Sequence, residues 1–74
     1  MSDKRIIKIE GYIIVAEYHD KDRYLSDNKH WVHSVKELKL SDIRAFPVNN
    51  FDMSKWPLMK QGYRNAQITI TIDL

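Results

Sequence analysis

Strict alternation of apolar and polar positions appears most cleanly at the end of this chain. In AQITITIDL, residues 66 to 74, Ile68, Ile70, Ile72 and Leu74 point one way while Thr69, Thr71 and Asp73 point the other. A period of two predicts a half-buried strand. Residues 4 to 18, KRIIKIEGYIIVAEY, predict a second, longer strand. Five isoleucines, a valine and two tyrosines dominate it, and β-branched and aromatic side chains suit a pleated surface. Ile7 and Ile9 share a face, and Ile13 and Val15 keep that face only if Gly11 is regular. A bulge at the glycine would instead turn Tyr12 and Ile14 inward. The nearly unbroken apolar run Tyr12 to Ala16 implies cover on both faces, hence a central strand or a dimer seam.

Between these strands the pattern weakens. HDKDRYLSDNKH, residues 19 to 30, is polar and rich in turn-forming Asp, Ser and Asn, which predicts a long loop or the wide end of a hairpin. In WVHSVKELKLSDIRAF, Ser34 and Glu37 match a helix capping box. Leu38 and Leu40, however, alternate with Lys39 and Ser41, and Asp42 would interrupt a helical stripe, so residues 31 to 40 are assigned to strand. Ser54 fits an N-cap for a short helix over Lys55–Gln61. Pro57 would sit in its first turn, where a missing N–H costs little, and Gly62 would sit after its last. The sum is one α+β domain over residues 1–74: a β-rich fold with an antiparallel sheet of about three strands and one short helix.

Length makes the core thin. A chain of 74 residues buries only roughly 60% of the surface its unfolded form exposes. With no cysteine, no disulfide or thiolate zinc site reinforces it. Tight packing of the isoleucines and oligomerisation are the remaining devices, and a homodimer is expected. No apolar run approaches the roughly 20 residues that cross a bilayer, and Lys8 and Glu10 interrupt the only N-terminal candidate for a signal peptide. The expectation is a cytoplasmic protein with no membrane partner.

The net charge of +2 is mild, but its distribution is not. After Glu37 the only acids are Asp42, Asp52 and Asp73, so residues 53 to 72 carry Lys55, Lys60 and Arg64 with no acid among them. The stretch KWPLMKQGYR joins these cations to Trp56 and Tyr63. Trp, Tyr and Arg dominate binding energy at protein interfaces, so Lys55, Trp56, Lys60, Tyr63 and Arg64 are the candidate partner-binding residues. Trp56, Leu58 and Met59 would pack the helix onto the sheet, leaving Tyr63 and Arg64 exposed and Lys55 and Lys60 to steer an acidic partner. Bases stacking on Trp56 or Tyr63, with phosphates on the cations, give the alternative of a small nucleic-acid-binding domain. Tyr24, Leu25 and Trp31 form a second patch, either a contact surface or a plug for one end of the sheet.

Catalytic and metal chemistry find little support. His30 and His33 would face opposite sides of a strand, with no third ligand fixed beside them. His19 and Asp20 are adjacent, a poor geometry for a base and its orienting carboxylate. Two glycines cannot build a phosphate cradle. The expectation is therefore no enzyme, no metal and no cofactor.

The opening IKIEGYIIVAEY, the polar segment after it and the closing ITITIDL resemble small accessory proteins encoded by bacterial phages and prophages. The resemblance implies a small intracellular protein that binds and modulates a larger partner, often from the host, as an inhibitor or other modulator. It carries over no functional residue.

Overall fold

A computed structural model describes residues 5–27 and 29–73 of the chain. Its framework is a four-stranded antiparallel sheet with β1 Ile6–Tyr18, β2 Lys21–Ser26, β3 His30–Val32 and β4 Arg64–Asp73, in the order β3-β2-β1-β4. The two terminal segments are neighbouring strands, paired from Ile6↔Asp73 to Val15↔Arg64. Lys4 and Leu74, assigned to the ends of these strands, and Asn28 of the polar segment lie outside the described residues.

The apolar run in β1 has the physical reason anticipated for it. β1 is central, and both its faces are covered at the β2 end. Ile13, Ile14, Val15 and Ala16 are all buried, and with Leu25 they make up the apolar core. The pairing runs unbroken through Gly11, which faces Ile68, so no bulge occurs. Ile7, Ile9, Ile13 and Val15 therefore share one face. Gly11 serves a different need. A Cβ there would run into Ile43 Cγ2 and lie 2.6 Å from the Arg44 carbonyl oxygen. Arg44 crosses close beside β1, exchanging both backbone hydrogen bonds with Tyr12 at 2.8 and 2.9 Å.

Three sequence assignments need correction. The polar segment 19–30 holds a strand, because β1 turns back at once: Tyr18 pairs with Lys21 across a two-residue turn. His19 and Asp20 have φ of 50° and 61°, the left-handed pair that a type I′ hairpin turn requires. The strand assigned to residues 31–40 ends at Val32. Ser34 then caps a 3-10 turn, Val35–Glu37, as the capping box allowed. Glu37 accepts from the backbone N–H groups of His33 and Ser34, both at 3.0 Å, which withdraws those donors from any ladder. A second 3-10 turn, Leu40–Asp42, follows.

The third correction is the helix. Lys55–Gln61 forms no helix but a pair of turns, with Trp56 N–H bonded to Met53 O and Met59 N–H to Trp56 O. The Lys60 N–H, which a helix would direct back to Trp56, instead donates to Glu17 O at 2.7 Å. The edge of β1 captures the chain before a second helical turn can form.

One end of the molecule is consequently different from the other. The sheet's body is covered by residues 34–44 and 46–61, whereas Ile6–Glu10 and Thr69–Asp73 pair only with each other, as a two-stranded ribbon. The overall dimensions, 52 × 23 × 18 Å, reflect that projection. Ile6 and Ile7 are 63% and 42% exposed.

Candidate functional site

The 46–63 segment folds onto the face of the sheet that carries Ile14 and Ala16. Strand parity puts Leu25, Trp31, Tyr63 and Asn65 on that face. Asn65 anchors the segment by accepting from Val48 N–H and donating to Val48 O, both at 2.9 Å. The Tyr63 hydroxyl repeats the arrangement, donating to Val48 O at 3.0 Å and accepting from Phe51 N–H at 3.2 Å. These bonds bring Phe51 against Tyr63 and stack it on Trp56, at 5.6 and 5.5 Å between ring centroids. Trp31 closes the cluster edge-on to both Phe51 and Trp56. Edge-to-face and offset aromatic pairs add about 0.5–1.5 kcal/mol each beyond their burial. Four aromatic rings thus take the place of the helix as the cover of this face.

Leu25 and Trp31 are core and cluster residues, which decides between the two readings of that patch in favour of the plug. The Trp31 indole N–H is buried with no acceptor among the described residues. Asp42, on the opposite cover, is buried and well served. Its carboxylate accepts from the Ser26 hydroxyl at 2.9 Å and from the N–H groups of Asp27 and Lys39 at 2.7 and 2.8 Å. Burial by itself would raise its pKa. The bonds from Asp27, Lys39 and Ser26, with the Lys39 charge, outweigh that effect and hold it below the ordinary 3.8.

The candidate contact residues do not form one free basic patch, since strand parity puts Arg64 on the face of the sheet opposite Tyr63. Lys60 reaches Glu17 at 3.1 Å and Asp20 at 3.5 Å. Its pKa is raised, chiefly by the hydrogen bond and charge of Glu17. Arg64 grips both oxygens of Asp22, at 2.6 and 3.3 Å, and the hydrogen bond to Asp22 raises its pKa as well. The acids missing from residues 53 to 72 are thus supplied by the β1–β2 hairpin. Lys55 is exposed and lies near enough to Asp52 to contribute to that carboxylate's lowered pKa, behind the two bonds from Ser54.

Tyr63 is half-buried with its hydroxyl engaged, contrary to the exposed position expected of it. Leu58 moves the other way. Assigned to the core, it is 76% exposed, because the two turns replacing the helix swing it outward. A groove of about 270 Å³ opens beside it, lined by Tyr18, Lys55, Trp56, Pro57, Leu58 and Met59. Its walls are apolar apart from Lys55 and the tip of Tyr18. A wider hollow of about 490 Å³ lies between Val15–Glu17 and Lys60–Arg64. It is an open dish whose charged residues already satisfy one another, so the groove is the better candidate. Tyr18, which no sequence pattern singled out, reaches it from the end of β1.

Among the described residues no group of three or more His, Asp or Glu side chains is placed to hold a metal ion, and no helix is long and apolar enough to cross a membrane. His19 stands edge-on to Tyr18 in the hairpin turn, away from His30 and His33 in sequence and in pairing. Comparison with protein-family models, with curated proteins and with solved structures yields no match to this chain. The site's own chemistry therefore carries the functional reading.

Proposed function

We propose that this protein is a non-enzymatic binding module that takes an apolar side chain of a protein partner into the groove between Tyr18 and residues 55–59. The observation that carries this reading is the groove itself, with the exposed Leu58 at its lip and the Trp56 ring in its wall. At about 270 Å³ it falls just under the roughly 300 Å³ typical of small-molecule sites. It suits one or two anchoring side chains, the usual unit of an interface hot spot. The aromatic cluster holds Trp56 in place beforehand, which lowers the ordering cost of binding. Lys55 at the rim favours a partner with an acidic surface. A small inhibitor or other modulator of a larger bacterial protein, which the phage resemblance implies, would need such a preformed anchor. No observation favours nucleic acid over protein here, since Lys60 and Arg64 direct their charge into Glu17, Asp20 and Asp22.

The test is affinity capture from a bacterial lysate with the native chain, with Leu58→Asp and with Lys36→Ala as a control on an exposed residue of the 3-10 turn Val35–Glu37. The expected result is a partner held by the native chain and by Lys36→Ala but lost with Leu58→Asp. A partner retained equally by Leu58→Asp contradicts the groove.

A further inference from the structure

The outer edge of β4 has no neighbour among the described strands, and the backbone groups along it can be identified. Tyr12 exchanges both of its backbone hydrogen bonds with Arg44, which lies on the side of β1 away from β4. Even-numbered residues of β1 therefore direct their N–H and C=O groups away from β4, and odd-numbered ones direct theirs toward it. The Tyr18↔Lys21 pair closing the hairpin agrees with this phase, as does Glu17 O accepting from Lys60 on the β4 side. Since Gly11 faces Ile68 and Ile9 faces Ile70, the even residues of β4 bond to β1. Asn65, Gln67, Thr69 and Thr71 present their backbone donors and acceptors outward.

We infer that this edge pairs with the β4 edge of a second copy, antiparallel about a two-fold axis through Thr69, to give a continuous eight-stranded sheet. Three features of the strand select its own copy as the occupant. A two-fold perpendicular to the sheet keeps the same face up in both copies, so residues directly opposite always share parity. Every apolar position of the strand is even-numbered. With the axis on Thr69, Ile68 meets Ile70 and Ala66 meets Ile72, while Thr69 meets Thr69, Gln67 meets Thr71 and Asn65 meets Asp73. Like therefore meets like along the strand, and β-branched and Thr–Thr pairs are favourable cross-strand neighbours. The outward-facing odd residues fall opposite one another, as antiparallel bonding requires, giving about six interchain hydrogen bonds across the Thr69–Thr69 and Gln67–Thr71 pairs.

The second feature is the face. Ile7, Ile9, Ile68, Ile70 and Ile72 form an isoleucine surface on the projecting ribbon with no charge on it, and the pairing joins the two surfaces side by side. The third is the absence of the usual defences of an edge. β4 has no proline and no lysine, and its described pairing shows no bulge. Nine residues span about 30 Å, and a seam one sheet thick covers on the order of 300 Å² per copy. Stable complexes bury about 800 Å² per partner, so the dimer is concentration-dependent rather than obligate. This surface is separate from the 55–59 groove.

The chain has no cysteine, which makes disulfide trapping clean. Thr69→Cys places two thiols across the axis at a Cα separation of about 5.5 Å, within disulfide range. Oxidation should convert it to a covalent dimer, while Lys8→Cys, on the opposite strand of the ribbon and away from this edge, stays monomeric. Ile70→Cys separates the two-fold-related copies by two residues and should link poorly. Sedimentation of the native chain, up to on the order of 1 mM, should show reversible dimerisation. Thr69→Pro should abolish it with the circular dichroism spectrum unchanged, because proline removes only an outward N–H. A monomer under all conditions with no Thr69→Cys linkage overturns the inference. So does linkage through Ile70→Cys in place of Thr69→Cys, which would indicate packing of isoleucine faces. If Thr69→Pro does not fold, the cysteine variants decide alone.

Discussion

Removing the Asp42 carboxylate should be the most damaging single polar change in this protein. It fastens the 34–44 cover to the β2 end through two hydrogen bonds, from Ser26 and Asp27, and accepts a third from Lys39 within the cover. Hydrogen bonds to a charged group contribute about 1.5–3 kcal/mol each, and a buried donor left without a partner costs about 1–3 kcal/mol. Those figures do not simply add. Ser26 is 5% exposed and would be stranded, whereas the exposed Asp27 and Lys39 can turn to water. The expected loss for Asp42→Ala is about 3 kcal/mol, out of the roughly 4–11 kcal/mol typical of a domain this size. Asp42→Asn should cost less, about 2 kcal/mol, since the amide keeps one acceptor but opposes a second N–H donor with its own. Urea denaturation followed by circular dichroism reads both through the midpoint, with an unchanged slope.

The same group sets an acid limit on stability. The folded-state pKa of Asp42 lies below its ordinary 3.8, so the folded state binds this proton less readily than the unfolded one. Its contribution is complete above pH 3.8 and is lost as pH falls from there through the folded value. In Asp42→Asn that part of the acid sensitivity should disappear. If Asp42→Ala lies within about 0.5 kcal/mol of the native chain, the range of an unremarkable surface change, the fastening role is refuted.

Two further variants probe the rest of the framework. Gly11→Ala drives a methyl group into Ile43 and the Arg44 carbonyl, and should destabilise by about 1–3 kcal/mol as an overpacked contact; thermal melting reads it. Tyr63→Phe loses the bonds to Val48 O and Phe51 N–H. It should cost about 1 kcal/mol and speed amide exchange of Phe51 relative to that of Ile13.

What was legible in the sequence was the long-range part of the sheet. Isoleucine alternation in β1 and β4 reports burial over many residues, and the even spacing of Ile68, Ile70 and Ile72 leaves the face unambiguous. The hairpin between Tyr18 and Lys21 was not legible. Its turn uses His19 and Asp20 in left-handed backbone without the glycine that normally announces it, and β2 carries charges at Lys21, Asp22 and Arg23 because much of it lies at the rim. Residues 33–42 went astray for a related reason: side chains of Glu37 and Asp42 take the backbone donors that a strand would use, and only the Ser34–Glu37 spacing hinted at it.

For the candidate site, the stretch singled out in the sequence includes the groove-lining residues 55–59, but the structure places several of its side chains otherwise. Lys60 and Arg64 looked unopposed because their acids are 42 to 43 residues away along the chain for the Lys60–Glu17 and Arg64–Asp22 pairs. Tyr63 looked like a contact residue because the acceptor of its hydroxyl, Val48 O, is a backbone atom that carries no sequence signature. Leu58 was assigned inward by helical spacing, and that spacing lapsed when Glu17 O captured the Lys60 N–H. Tyr18 entered the groove only through the fold.

The central claim, that the groove beside Leu58 receives the partner, is tested most directly by site-specific photocrosslinking. A benzophenone side chain at position 58 or at position 36 would be irradiated in a lysate containing the partner held by the native chain. The account predicts a covalent adduct with that partner from position 58 and none from position 36. An adduct from position 36 with none from position 58 would contradict it.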